Sequence, residues 1–428
     1  MTTAVHPYIE ALLRGGEMSH SPYAWLNERR AHALERANAL AVPTTRDEEW
    51  RFTDITPLTR TSFNNALPGA TPDRAALEKL LLPEATARLV FIDGYFAPEY
   101  SVTIRAAVTV ESLLAALQRP AEGTEQVLAR LASVDSRVFV ALNTAHLRDG
   151  AYVHAARNAE GGVVQVLFVS TTPDTVSYPR SLIQVEQGAQ CTVIEEYVSL
   201  GDGASFANAV TEIAVAPNAR VRHVRLQRQN LASYHIAQCA VSIAKDASYC
   251  SQSITFGARI SRYDLEVVQR GEGAEAVIDG LALISGRQLA DTHTTMDHAC
   301  PHGRSQQLHK TIAGGGAHAV FNGKVIVRPG AQLIDSAQES RNLLLSDKAR
   351  VDTKPQLEIF ADDVKCSHGA TVGQLDPDHL FYLKSRGLPD ALARRLLTYA
   401  FGAQVIERIP VASVVRELER VVLEQTGA

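Results

Sequence analysis

The sequence predicts a mainly β protein with a β-solenoid core and helical regions at both ends, and three observations lead there. Between residues 161 and 374, short β-branched runs such as "VVQVLFV", "CTVIEEYV", "ARVRHVRL" and "GKVIV" replace helical periodicity. A small signature recurs in the same region, a turn residue followed by alanine and then an alternating run. It stands at Gly188-Ala189, Asn218-Ala219, Asp246-Ala247, Gly273-Ala274, Gly316-Ala317, Gly330-Ala331 and Lys348-Ala349, and the first four are spaced 30, 28 and 27 residues apart. The third observation is that amphipathic helical stripes return only outside these limits.

A repeat of this length, with strands and no helices, suits a solenoid. One strand–turn–strand rung cannot bury its inward face alone, so rungs stack. Alanine after each turn fits a corner where stacked backbones approach closely. A β-sandwich also gives short strands with frequent turns; the recurring turn signature places the solenoid ahead of it.

The flanks complete a three-part organisation. Residues 1–160 are mixed. "SPYAWLNERRAHALERANALAVP" opens on a helix-start signal and stops before Pro43, with Leu26, Ala33, Leu34, Ala37 and Ala41 on one face. "EEWRFTDI" follows, and "ARLVFIDGYF" reads as a strand entering an Asp-Gly turn. Residues 375–428 return to helix, with Gly387 as a stop and Pro389 as a start. Leu392, Leu396, Tyr399 and Ala400 form one stripe; beyond Pro410, Val411, Val414, Val415, Leu418 and Val422 form another. Such helices either cap the open end of a solenoid or dock a partner, and Leu396, Tyr399, Val414, Val415 and Leu418 are the docking candidates.

Composition narrows the function. A formal net charge of −5 argues against nucleic acid as a partner. No apolar run approaches the roughly 18 residues of a membrane span, and the first residues lack the pattern of a secretory signal. Five cysteines, an odd number without a C-x-x-C pair, fit a reducing cytoplasm rather than a disulfide framework. Walker A, G-x-S-x-G and H-E-x-x-H patterns do not occur.

Two stretches carry chemistry. In "DTHTTMDHACPHGRSQQLHK", His293, His298, Cys300, His302 and His309 fall within seventeen residues. They read either as ligands for zinc or iron, with His298, Cys300 and His302 the metal candidates, or as hydrogen-bonded strand histidines. In "ADDVKCSHGA", Cys366 and His368 are two apart on a strand and so share a face. They fit two ligands of one metal, a thiol–imidazole pair, or a buried cysteine beside a satisfied histidine. A cluster needs about four ligands, so distant residues or a second chain would have to complete a site here.

The stretch "RNLLLSDKARVDTKPQLEIFADDVKCSHGATVGQLDPDHLFYLKSRG", with "HAVFNGKVIV", "HACPHGRSQQLHKTI" and "EEWRFTDITPL", closely resembles the SufB/SufD family of the SUF iron–sulfur cluster assembly system. The likeness covers most of the chain and is densest from about residue 290 to 390. It lies on the SufD side. Ser340 stands where SufB carries a cysteine ahead of "LLLSD", and His368-Gly369-Ala370 stands where SufB has His-Glu-Ala; the SufB paralogue is the nearest alternative. The resemblance implies a right-handed parallel β-helix with helical flanks, acting as a non-enzymatic cytoplasmic scaffold. It implies a heterodimer with SufB, a homodimer when the chain is isolated, and a SufC ATPase docked through the C-terminal helices. It makes His368 the functional residue in iron acquisition and nascent cluster assembly, with Cys366 as its neighbour. Iron or an iron–sulfur cluster would be transient and shared with SufB, with none held stably by the isolated chain. A different class, a metal-dependent β-helix enzyme centred on Cys300 and His302, competes with this. Carbohydrate-cleaving enzymes on such folds need closely placed carboxylates, and Asp362 and Asp363 would point to opposite faces of a strand.

Overall fold

Each rung begins at a corner, and the turn–alanine signature is that corner in the computed structural model, which describes residues 6–14, 21–119 and 123–425. Gly188, Asn218, Asp246 and Gly273 hold φ at 71°, 58°, 54° and 70°, in the left-handed region that glycine, asparagine and aspartate tolerate best. The alanine after each is buried. The corner N–H groups reach carbonyls of the next rung, Gly188 to Pro217 at 3.0 Å, Asn218 to Lys245 at 3.0 Å and Asp246 to Glu272 at 2.9 Å. A Cβ on Gly188 would lie 2.3 Å from Asn158 Oδ1 on the rung below. The less regular pairs have a simple cause: Gly316-Ala317 and Lys348-Ala349 precede the strands His318–Val327 and Arg350–Ile359, so they belong to the opposite edge of the stack.

The chain alternates between two parallel sheets and makes about eight turns of a parallel β-solenoid. The first sheet stacks Arg180–Val185, Ser205–Val215, Tyr234–Ile243, Ile260–Gln269, Leu289–His298, His318–Val327 and Arg350–Ile359. The second stacks Glu160–Ser170, Gln190–Ser199, Arg220–Arg228, Ser248–Thr255, Glu275–Ile284, Arg304–Ala313, Ile334–Leu344 and Val364–Gly373. Alternate residues point between the sheets, where Val193, Val221, Val241, Val267 and Ile278 form the apolar core. The stacking also reaches back before residue 160. Ala85–Ile92 pairs in parallel with Glu160–Ser170, and Ala151–Ala155 with Arg180–Val185. Antiparallel partners, Tyr95–Phe96 and Val108–Ser112, close that end.

Helices skin both outer faces. On the first sheet, Phe139 and Leu142 of helix Val138–Ala145, together with Ile9, Leu12 and Leu58, pack on Phe206, Tyr234, Ile236 and Ile260. An internal anion fixes this layer. The Glu212 carboxylate accepts from the backbone N–H groups of Ala129, Arg130, Leu131 and Ala132 at 2.7 to 3.0 Å and pairs with the fully buried Arg180. On the second sheet, Val405, Ile406, Val414, Leu418 and Val422 of the C-terminal helices Asp390–Ile406 and Ala412–Gln425, with Val411 between them, cover Val224, Leu226, Ile254, Leu281, Leu308 and Ile312. Gly387, at φ 90°, separates them from the helix Pro377–Ser385, as the sequence indicated.

These C-terminal helices do not cap the open end. The outward row of the second sheet is apolar, and covering it removes far more apolar surface from water than closing one rung would. Val414 and Leu418 are corrected as docking candidates for the same reason, since both are 3% exposed and spent on the chain's own core. Leu418→Ala is therefore expected to cost about 2–5 kcal/mol, read as a lower urea midpoint at unchanged m-value; an unshifted midpoint would mean the helix merely rests on the sheet. Cutting the chain after residue 386 should uncover the whole face and yield aggregates on size exclusion.

Candidate functional site

The stack ends on two strands that each have a neighbour on one side only, Arg350–Ile359 and Val364–Gly373. Such edges are usually shortened, charged or covered. Here the last turn exposes apolar side chains, with Phe360 61% and Val372 49% exposed. Beside it runs the helix Pro377–Ser385, which buries none of its residues and displays Phe381 and Tyr382.

Alternation on the last strand points Val364, Cys366, His368, Ala370 and Val372 toward the space between the sheets. Val364 and Cys366 pack partly on the core, while His368 is exposed at the mouth. Burial first, and the Asp335 carboxylate second, raise the Cys366 thiol above its ordinary pKa. In the ladder below, Ser336, Gln338 and Ser340 lie in register with Cys366, His368 and Ala370. The structure thus brings the thiol and the imidazole to one face of an unpaired edge.

It does not assemble the other metal candidates. His298 points into the core, where Nδ1 lies 2.6 Å from Gln269 Oε1 and Nε2 lies 3.0 Å from Ser305 Oγ. Both ring nitrogens are engaged, and burial pushes its pKa down to about 4. The chain then turns the corner, so the half-buried Cys300 and the exposed His302 (φ 58°) leave that face, with His302 Nε2 at 3.7 Å from Glu272. Among the described residues, no group of three His, Cys, Asp or Glu side chains is arranged to hold a metal ion. The reading of His298, Cys300 and His302 as one site is corrected accordingly: strand alternation and the turn send them to different surroundings. His309 is likewise a core residue, stacked on Phe321 with centroids 4.2 Å apart.

His293 takes the outer face of the first sheet and anchors the "EEW" segment. Its Nε2 lies 3.0 Å from Asp291 and its Nδ1 3.2 Å from Glu49. Burial works against the charged ring, but Asp291 and Glu49 outweigh it and raise its pKa to about 9. The hydrogen bond with His293 holds Glu49 at about 2. Next to it, the Arg262 guanidinium sits 3.8 Å over the Trp50 ring and donates to the Glu49 carbonyl at 2.7 Å. Of the remaining docking candidates, Leu396 is exposed, Val415 is half-buried, and the Tyr399 hydroxyl donates to Glu419 at 2.8 Å. Sequence reasoning passed over Phe381 and Tyr382, although "HLFYL" offers two adjacent aromatics on a short helix. It also passed over Gln338, although every second residue of "SAQESRN" is polar and would point inward.

Residues 168–401 match the family model described as SUF system FeS cluster assembly, SufBD core domain, and residues 14–165 match the SufBD protein N-terminal region. The chain belongs to the SufBD family. An iron–sulfur cluster assembly SufBD family protein of Synechocystis is 40% identical over 438 residues, covering 98% of this chain and 95% of its own. The iron–sulfur cluster assembly protein SufD of Escherichia coli is 33% identical over 381 residues, 88% of this chain and 87% of that one. SufD of Bacillus subtilis is 26% identical over 425 residues, 96% of each. This SufBD chain has no helix, among its described residues, long and apolar enough to cross a membrane.

The clamp at His293 makes the SufBD fold sensitive to alkali. Its folded pKa, about 9, exceeds the ordinary 6.5, so its contribution is complete below 6.5 and is lost as pH rises through about 9. Urea midpoints should fall across that window in the wild type, and His293→Gln should flatten the fall. Parallel curves for the two proteins would place the alkaline loss elsewhere.

Proposed function

We propose that this chain is a non-enzymatic scaffold in iron–sulfur cluster assembly, presenting Cys366 and His368 to a second chain of the SufB kind. One observation carries the reading: a thiol and an imidazole share a face on an edge strand at the open end of the stack. Two side chains supply at most half of about four ligands. A partner that adds its own strand to the free edge would supply main-chain pairing and the missing ligands together. Iron or the nascent cluster is then cargo, held across the junction and weakly by either chain alone. The family shown by the SufBD core match, and relatives named as iron–sulfur cluster assembly proteins, support the same reading. The enzyme alternative would gather His298, Cys300 and His302 in one centre, whereas strand alternation and the turn send these three residues to different surroundings.

The exposed aromatics of Pro377–Ser385, with Leu396 on the next helix, suit a separate partner of the SufC ATPase kind. They lie next to the last strand in sequence and use none of the surface that holds the C-terminal helices to the solenoid. A cytoplasmic location fits the free cysteines.

His368 lies exposed at the mouth, so removing its ring deletes a ligand and little packing. His368→Ala is expected to leave the urea midpoint of the chain unchanged and to lower the cluster yield of the assembled complex, reconstituted without oxygen, by at least about tenfold. Wild-type yield from a fully assembled variant complex would overturn the assignment.

A further inference from the structure

The interior of the solenoid changes character as it nears the open end. Three successive layers show this on one column. Gln307 faces Thr294, whose hydroxyl donates to Gln307 Oε1 at 2.8 Å. One layer up, in register with these two, Gln338 faces Gly323. In the last layer His368 faces Pro355. The first sheet thus loses its polar side chain at the two positions nearest the mouth, while the second sheet keeps an amide and then an imidazole.

Gln338 is 3% exposed, yet neither end of its amide has a partner among the described residues. Leaving a buried amide unpaired is costly and uncommon, and such a group calls for an explanation. The glycine opposite is what makes room for it. A Cβ on Gly323 would sit 2.2 Å from Gln338 Nε2, so the amide lies across the sheet gap where no other side chain fits. In the layer below, Thr294 answers Gln307 Oε1 while Gln307 Nε2 has no partner among the described residues; in the layer above, His368 stands in register with Gln338, whose amide is unanswered at both ends.

We infer that Gln338 is a positioning residue for His368, its Oε1 accepting one ring N–H so that the other ring nitrogen faces an incoming metal ion. Neighbouring strands of a ladder lie about 4.8 Å apart, so an exposed imidazole in register with the amide reaches it by side-chain rotation alone. A histidine that binds metal through one nitrogen characteristically donates from the other to a carbonyl or carboxylate, which fixes the tautomer and the ring plane. The side chain of Pro355 offers no such acceptor, and that of Gln338 does. The inference rests on the proposed role of His368 in cluster assembly.

The test uses the full chain with 15N-labelled histidine, His368 being identified among the 14 histidines by difference from His368→Ala. At one fixed pH where the ring is neutral, wild type should show one dominant tautomer. Gln338→Met keeps the volume but removes the acceptor and should give a mixed signal; Gln338→Glu restores an acceptor and should restore the single tautomer. In the assembled complex, Gln338→Met should lower cluster yield about tenfold and Gln338→Glu should recover most of it. An unchanged His368 signal in Gln338→Met overturns the inference, whatever the yields. If that signal becomes mixed while His368→Ala makes clusters at the wild-type yield, the contact stands and the assembly role of His368 is what fails.

Discussion

The rest of the structure depends on one constraint, the close stacking of backbones at the corners. At five successive corners one residue accepts left-handed φ and the next is no larger than the gap allows. Asn158, Gly188, Asn218, Asp246 and Gly273 satisfy the first condition, and the buried Ala159, Ala189, Ala219, Ala247 and Ala274 satisfy the second. The corner N–H groups then bond to the next rung, so each turn sets the height of its successor. Parallel register follows along both sheets, and register carries Cys366 and His368 to the same face as Ser336 and Gln338.

Polar groups inside this stack are tolerated where the neighbouring rungs can answer them. Glu195, buried in an early turn, accepts from Ser181 at 2.7 Å, from Thr211 at 2.9 Å and lies 3.0 Å from His223 Nε2. Against the effect of burial, these partners hold its carboxyl below the ordinary carboxylate value. His298 is answered in the same way by Gln269 and Ser305. Such answers come from the layer below, the layer above or the opposite sheet; His235, fully buried with neither ring nitrogen hydrogen-bonded, is instead kept neutral by burial. At the last turn the layer above is missing, so polar groups there meet whatever binds the mouth. The open end is chemically different from the middle of the stack for that geometric reason.

The outer faces follow the opposite logic. Apolar rows on both sheets are covered by helices, and charged residues mark where cover and sheet meet: Glu212 with Arg180 on one side of the stack, Arg408 with Asp279 at 2.8 Å on the other. The Glu212–Arg180 pair is fully buried and costly to break singly, whereas Arg408 is 40% exposed and only Asp279 of its pair is buried. Both pairs tie the helical layers to particular rungs, whereas the last rung keeps its edge free. The apolar surface that remains exposed is concentrated beside that edge.

Local sequence determined the strand-rich texture, the corner signature and the helix boundaries, because left-handed turns, alternation and Gly387 or Pro389 act within a few residues. It also put Cys366 and His368 on one face, since a two-residue separation on a strand has only one outcome. It read the strand of "ARLVFIDGYF" and its Asp-Gly turn but did not join that strand, or Ala151–Ala155, to the stack, and it could not tell which side of the solenoid the C-terminal stripes cover. The histidines from His293 to His309 are the clearest case. Proximity in sequence suggested a common site, and the fold sent His293 outward to Glu49 and Asp291, His298 inward to Gln269, and His302 to a corner. Each destination involves at least one partner 29 or more residues away in the chain: Glu49 for His293, Gln269 for His298 and Glu272 for His302. Spacing within one strand cannot report them, because what surrounds a solenoid side chain is supplied by the rungs above and below it, and only the stacked structure brings those together.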